Sequence, residues 1–171
     1  MRDGRGSGGA ILPVLRWPDA RLAAMCRAVG PGDDVAGLAA DMLATLYHAA
    51  GRGLAAPQVG AMVRLFVMDS GWKQGAPDPM VFVNPEVVAV SDDRATLGEG
   101  CLSIPGISVD VTRPVQVDLR WQGLDGQVQQ RGFSGFEAAC IQHEIDHLDG
   151  IVTLDRVDAA TRARLLQDYA P

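Results

Sequence analysis

The stretch QHEIDHLDG at residues 142–150 constrains this chain more than any other part of it. It holds two of the three histidines, His143 and His147, four residues apart, with Glu144 directly after the first. On an α-helix, positions four apart share a face, so both imidazoles can address one ion. Glu144 is turned by about 100° from His143 and can reach a water at that ion without being a ligand. This is the HExxH arrangement for metal-assisted hydrolysis: two ligands and one general base. The competing reading is a pair of surface histidines on an acidic helix. Ser134 stands where an N-cap should, Glu137 completes a capping-box pattern, and Gly150 suits the position after the helix, so the spacing predicts a helix over 135–149. Phe136, Ala139, Cys140, Ile141 and Ile145 make it apolar enough to be largely buried. Two histidines and a glutamate inside a buried helix need partners, and a metal supplies them.

Two ligands do not make a tight site. A histidine six residues after His147 would complete one known zincin pattern, but Thr153 stands there; a downstream glutamate would complete another, and none follows Glu144. Aspartates 149, 155, 158 and 168 match no helical ligand spacing. The best remaining candidate is upstream, Cys101 in EGCLS at 99–103.

At 171 residues the chain is long enough for one core, and 47% apolar with 21% charged residues indicates a soluble globular protein. A net charge of −6 argues against nucleic-acid binding and against docking on an anionic membrane. Three scattered cysteines make no disulfide framework, which fits a reducing, cytoplasmic setting where a thiol stays free to bind metal. Residues 1–10 are glycine-rich and read as a disordered tail, leaving 11–171 as a single catalytic domain.

Asp19 is expected to cap a short helical turn through Leu22, with Cys26 a small core residue. Asp33 and Asp34 open a stronger helix whose apolar stripe runs through Val35, Leu38, Met42 and Leu46 and stops by Gly51; His48, near its end, reads as a capping or surface residue. GRGLAAPQVG at 51–60 can be forced onto a dinucleotide-binding fingerprint, but it follows a helix and meets Pro57, so it reads as a loop. Gln58 in it offers an amide that could stabilise an oxyanion. Strands are expected over 63–69, 80–83, 86–90, 107–112, 115–121 and 127–133, with Asn84-Pro85 as a break, a turn at 92–94 and a hairpin turn at Asp125-Gly126. A last helix is expected over 159–169. The pattern is α+β: short antiparallel β-strands packed around a central metal-binding helix.

Taken together, GRGLAAPQVG, EGCLS and QHEIDHLDG resemble, in the same order, the three motifs of the peptide deformylase family, and the resemblance runs from about residue 11 to 155. It implies a hydrolase that removes the N-formyl group from the formyl-methionine of nascent polypeptides and releases formate. Cys101, His143 and His147 would then be the metal ligands and Glu144 the general base and acid. Gln58 and the Leu102 backbone N–H would stabilise the oxyanion. Peptide substrate would add as a strand beside Gly53 and Gly100, with Cys140 and Ile141 shaping the methionine pocket. Glu99 would frame that pocket or form an ion pair with Arg113, and Asp146 would orient neighbours or stand in solvent. The implied ion is Fe²⁺ in the cell, while residue types alone also suit Zn²⁺, Ni²⁺ or Co²⁺.

Two departures stand out. Arg52 occupies a motif position where the family usually has valine or isoleucine, which motivates an alternative substrate, another N-formyl or N-acyl group, or an altered preference. The last residues show no basic extension of the kind some bacterial relatives use to dock on the ribosome, leaving at most a transient ribosome contact. A non-catalytic metal-binding homologue is the third reading.

Overall fold

The computed structural model describes residues 8–171. The expected tail lies mostly outside the described residues. Of its last members, Ala10 donates its N–H to Asp41 Oδ1 at 2.7 Å, and a side chain on Gly9 would collide with the Ala40 backbone, so this end packs against the first helix.

That helix, α1 (Val35–His48), begins where Asp34 accepts from Gly37 N and buries Ala39, Met42, Thr45 and Leu46. A five-stranded antiparallel sheet follows, in the order β1 (Gly53–Ala55), β2 (Leu65–Met68), β3 (Met80–Val90), β6 (Gln116–Gln122) and β7 (Val128–Ser134). A separate two-stranded ribbon is made of β4 (Arg94–Cys101) and β5 (Ile104–Pro114). Helix α2 (Gly135–Leu148) carries the HExxH residues, and α3 (Ala159–Leu165) is capped by Asp158. Among the described residues, no helix is long and apolar enough to cross a membrane.

Four local readings differ from the sequence expectation. β1 is a strand inside what reads as a loop, because three residues are too few to show alternation; its pairing with β2 buries Leu54 and Ala55 completely. Asn84-Pro85 does not break β3. Asn84 takes φ +48°, its side chain pairs with the Val29 backbone at 2.8 and 3.2 Å, and the register shift between Val83 and Glu86 absorbs the proline, which has no N–H for the ladder. β4 is missed because its residues are mostly exposed and lack an apolar rhythm; only its pairing with β5 defines it. The capping box at Ser134 does not form. Ser134 is still paired with Gln116 in the sheet, Gly135 at φ +59° makes the entry, and Glu137 instead accepts from the Ser70 hydroxyl at 2.9 Å.

Behind α2 the core is aromatic. Phe82 stacks on Phe66 at 4.4 Å and meets Trp121 and Phe133 at 4.9 and 6.1 Å between ring centroids. Ala138, Ile141 and Leu148 of α2 pack into the same cluster, so the helix is seated on the sheet through one face and keeps the other for the site. Phe82→Ala is therefore expected to destabilise the protein by about 3–5 kcal/mol, the usual cost of a large core deletion. Urea unfolding measures it, and a loss below about 1 kcal/mol would show that this cluster does not hold α2 on the sheet.

Candidate metal centre

The geometry of the centre follows from two elements. α2 presents His143 and His147 one turn apart, and the β4–β5 hairpin delivers Cys101 at its tip, where Cys101 pairs with Ile104 across a turn of only Leu102 and Ser103. The tip is pinned from both ends of the chain: Trp17 N donates to the Ser103 carbonyl at 2.9 Å, and the Tyr169 hydroxyl donates to the Trp17 carbonyl at 2.9 Å.

The three ligand atoms lie within 4.8 Å of one another. Cys101 Sγ is 3.4 Å from His147 Nε2, and the two Nε2 atoms are 3.2 Å apart. Tetrahedral coordination at ordinary zinc distances requires N···N of about 3.3 Å and S···N of about 3.5 Å, so these two spacings suit one bound ion. The chemistry agrees. His143 donates from Nδ1 to Glu99 Oε1 at 2.9 Å, which aims Nε2 at His147 and the Cys101 side. Burial opposes a charge on His143, but hydrogen bonds to Cys101 and Glu99 outweigh it and raise its pKa well above the ordinary value. Burial, with His143 beside it, holds His147 well below its ordinary value and therefore neutral. Its Nδ1 is buried without a partner.

Beneath the histidines runs a buried charge network that sequence reading saw only in part. Arg113 of β5 grips Glu99 through two bonds of 2.7 and 2.9 Å and reaches Asp146 at 2.9 Å. Asp146 also accepts from Arg156 at 3.1 and 2.5 Å. Glu99 lines the cavity and also forms the ion pair with Arg113. The attraction of His143 and Arg113 overcomes the burial of Glu99 and keeps its pKa below the ordinary value. Asp146 is buried rather than solvated. Arg156 carries no sequence signal, because nothing local says which distant side chain it meets.

Above the centre opens a cavity of about 610 Å³. Gly53, Gln58, Glu99, Gly100, Cys101, Leu102, Cys140, His143 and Glu144 all line it. Ile141 does not. It is fully buried against the aromatic cluster, since the 100° step from Cys140 turns it to the core side of α2. Phe136 and Ala139, which the sequence placed only as apolar support, are the helix residues that take its place in the wall. Gln58 is fixed in orientation: Oε1 accepts from Ala55 N at 2.9 Å, so the other terminal atom is the amide NH₂, 3.0 Å from Ser103 Oγ and 3.7 Å from Cys101 Sγ. Gly53 is small by necessity, since a Cβ there would sit 2.6 Å from Glu144 Oε1 and 2.7 Å from Cys140 Sγ. Gly51 likewise lets the Leu102 side chain approach, as a Cβ would come within 2.8 Å of its Cδ1.

Glu144 is buried with Oε2 unpartnered, and burial, reinforced by the charge of Glu99, raises its carboxyl pKa to about 7 despite the opposing pull of His143. Burial also keeps the Cys140 thiol protonated, with its pKa pushed well above the ordinary value.

A thiol, two imidazoles and a buried, unpartnered glutamate under one glycine-lined cavity are the parts of a metallohydrolase, and the sequence profile of the polypeptide deformylase family matches residues 11–163. The chain belongs to that family. A peptide deformylase of Afipia carboxidovorans is 42% identical over 161 residues, 94% of each chain. One of Agrobacterium fabrum is 39% identical over 93% of this chain and 94% of its own. Among solved structures, a Synechococcus elongatus peptide deformylase in complex with actinonin superposes with a TM-score of 0.87 at 34% identity, covering 95% of this chain and 91% of its own. A Legionella pneumophila peptide deformylase gives 0.86 at 36%, with 91% of each chain covered. Family membership agrees with the α+β architecture and with a metal-dependent enzyme.

Removing the Arg113 charge isolates what the network does for the metal. Arg113→Met is expected to weaken metal binding about 10–100-fold, because Glu99 loses its anchor and no longer orients His143, and to cost about 3–5 kcal/mol, the usual result of removing one partner of a buried ion pair. Competition with a chromogenic chelator reads the first effect. An unchanged affinity would mean that Glu99 holds His143 without Arg113.

Proposed function

We propose that this chain removes the N-formyl group from the N-terminal formyl-methionine of nascent polypeptides, releasing formate, with Cys101, His143 and His147 as metal ligands and Glu144 as the proton carrier. Peptide deformylation follows from membership of the family along nearly the whole length. The assignment of roles rests above all on one observation: a buried carboxylate with a free oxygen stands beside a thiol and two imidazoles spaced for one ion.

When bound, the ion supplies a Lewis acid that makes water nucleophilic at neutral pH and polarises the formyl oxygen. The ion in the cell is taken as Fe²⁺, following the family resemblance, and the donor set is equally suited to Zn²⁺, Ni²⁺ or Co²⁺. The setting is the cytoplasm, where the formylated peptides are made and the thiol stays reduced.

The peptide lies as an added strand along the free edge of β1, with Gly53 and Gly100 admitting its backbone. Its methionine side chain enters the cavity against Cys140, Ala139 and Phe136. Glu144 accepts a proton from the attacking water, and the oxygen adds to the formyl carbon. Negative charge gathers on the formyl oxygen, within reach of the Gln58 amide and the Leu102 backbone N–H. Glu144 then delivers its proton to the departing amine, the C–N bond breaks, and formate and a free methionyl terminus result. Burial of Glu144 works in the same direction, since it favours the carboxyl form that takes up the proton.

Formate release from formyl-Met-Ala-Ser by anaerobically prepared, Fe²⁺-loaded protein is the direct test. Glu144→Gln is expected to lower kcat by about 10²–10⁴-fold while metal content is retained; full turnover in that variant would sink the role given to Glu144. In the metal-free protein, the Glu144 carboxyl is expected to titrate near pH 7, protonated below and ionised above, and to move downward when a cation is added beside it. Carbon-13 NMR of labelled glutamate reads both midpoints, and an ordinary carboxylate midpoint in the metal-free protein would remove burial as the tuning device.

A further inference from the structure

One wall of the cavity carries a charge that deformylation does not use. Arg52, immediately before β1, lines the cavity, and its guanidinium lies over the Phe136 ring, 5.0 Å from the centroid. Its Nε is buried without an acceptor, and no carboxylate among the described residues forms an ion pair with it. Neither carboxylate in the cavity pairs with it: Glu99 belongs to Arg113 and His143, and Glu144 sits against Gly53 at the metal end. A donor buried without its hydrogen bond is costly, so the position favours an acceptor brought in from outside. Lys73 lines the same cavity and adds a second positive charge there.

The helix supplies a ruler for what arrives. Phe136 precedes Cys140 by four residues, about 6 Å along the axis, and Glu144 follows by another turn. In an extended peptide, side chains two residues apart project to the same face about 6.6–6.8 Å apart, while the one between them points away. With the added strand running along α2 and the formyl group at the metal end, a methionine side chain seated against Cys140 brings the third side chain level with Phe136 and Arg52.

We propose that Arg52 is a specificity-determining residue that pairs with an acidic side chain at the third position of the formylated peptide, with Phe136 holding the guanidinium in place. The inference rests on the deformylation reading and on the added-strand placement. Stacking on a ring occupies the flat face of a guanidinium and leaves its edge N–H groups free for a carboxylate, which an aliphatic residue at this position could not offer.

The test uses C-terminally amidated peptides, so that no terminal carboxylate competes: formyl-Met-Ala-Glu-amide, its Gln counterpart and its Lys counterpart. The metal-loaded protein is expected to prefer Glu over Gln by about fivefold in kcat/KM, with Lys the poorest, and to lose that preference as salt is raised. The ratio should fall to about one in Arg52→Gln and invert toward Lys in Arg52→Glu. A Glu-to-Gln ratio that is the same in wild type and Arg52→Gln overturns the proposal. Calorimetric binding of the deformylated peptides Met-Ala-Glu-amide and Met-Ala-Gln-amide gives the same comparison without turnover. Discrimination in binding without formate release from any peptide would retain Arg52 and remove the deformylation reading; formate release without discrimination would do the reverse.

Discussion

A single buried arginine ties the catalytic end of this molecule together. Arg113 reaches from the two-stranded ribbon to Glu99 on the neighbouring strand and to Asp146 on α2, and Glu99 passes the contact on to His143. Buried charges are stable only when each is paired, so none of the groups in this network can move without exposing another. The consequence is mechanical. The ribbon that carries Cys101 and the helix that carries the histidines are separate elements, and the network bridges them. The spacing of Cys101, His143 and His147 rests on a salt-bridge lattice one layer beneath them.

The same need for small groups at close quarters explains the glycines of the first motif. Gly51 makes room for Leu102 and Gly53 for Glu144, so the loop after α1 can lie against both the hairpin tip and the helix. That closeness excludes solvent from Glu144 and moves its pKa toward neutrality. Gln58 is held by backbone at one end and by Ser103 at the other, so its amide is oriented before any substrate arrives. Preorganisation of this kind is what makes a hydrogen-bond donor effective against charge that appears only in a transition state.

Arg52 has the opposite character. It is the one charged residue in a motif of small and apolar groups, and it contributes to no network. Its ring contact with Phe136 places it at the cavity wall, where charge acts on what binds and not on how the chain folds. A charge placed here acts on selectivity, at the cost of a buried donor that the chain itself leaves without an acceptor.

Much of this was present in the sequence. Two histidines at helical spacing with an adjacent glutamate are legible because the i, i+4 spacing of a helix is a local property, while Cys101 and Gln58 enter through the resemblance of EGCLS and GRGLAAPQVG to the family's motifs. The long helix at 35–48 and the outer hairpin strands followed from periodicity and turn residues for the same reason. What pattern could not decide was set by pairing over distance. β1 and β4 exist as strands only because β2 and β5 lie beside them. Asn84-Pro85 continues a strand because Val29 satisfies its side chain. Ile141 turns to the core because the aromatic cluster lies on that side of α2, and Arg156 joins Asp146 from ten residues away. Local sequence determines which groups are available and which face of a helix they share; only the packed chain decides which of them meet, because burial and charge pairing are settled between segments that the sequence keeps apart.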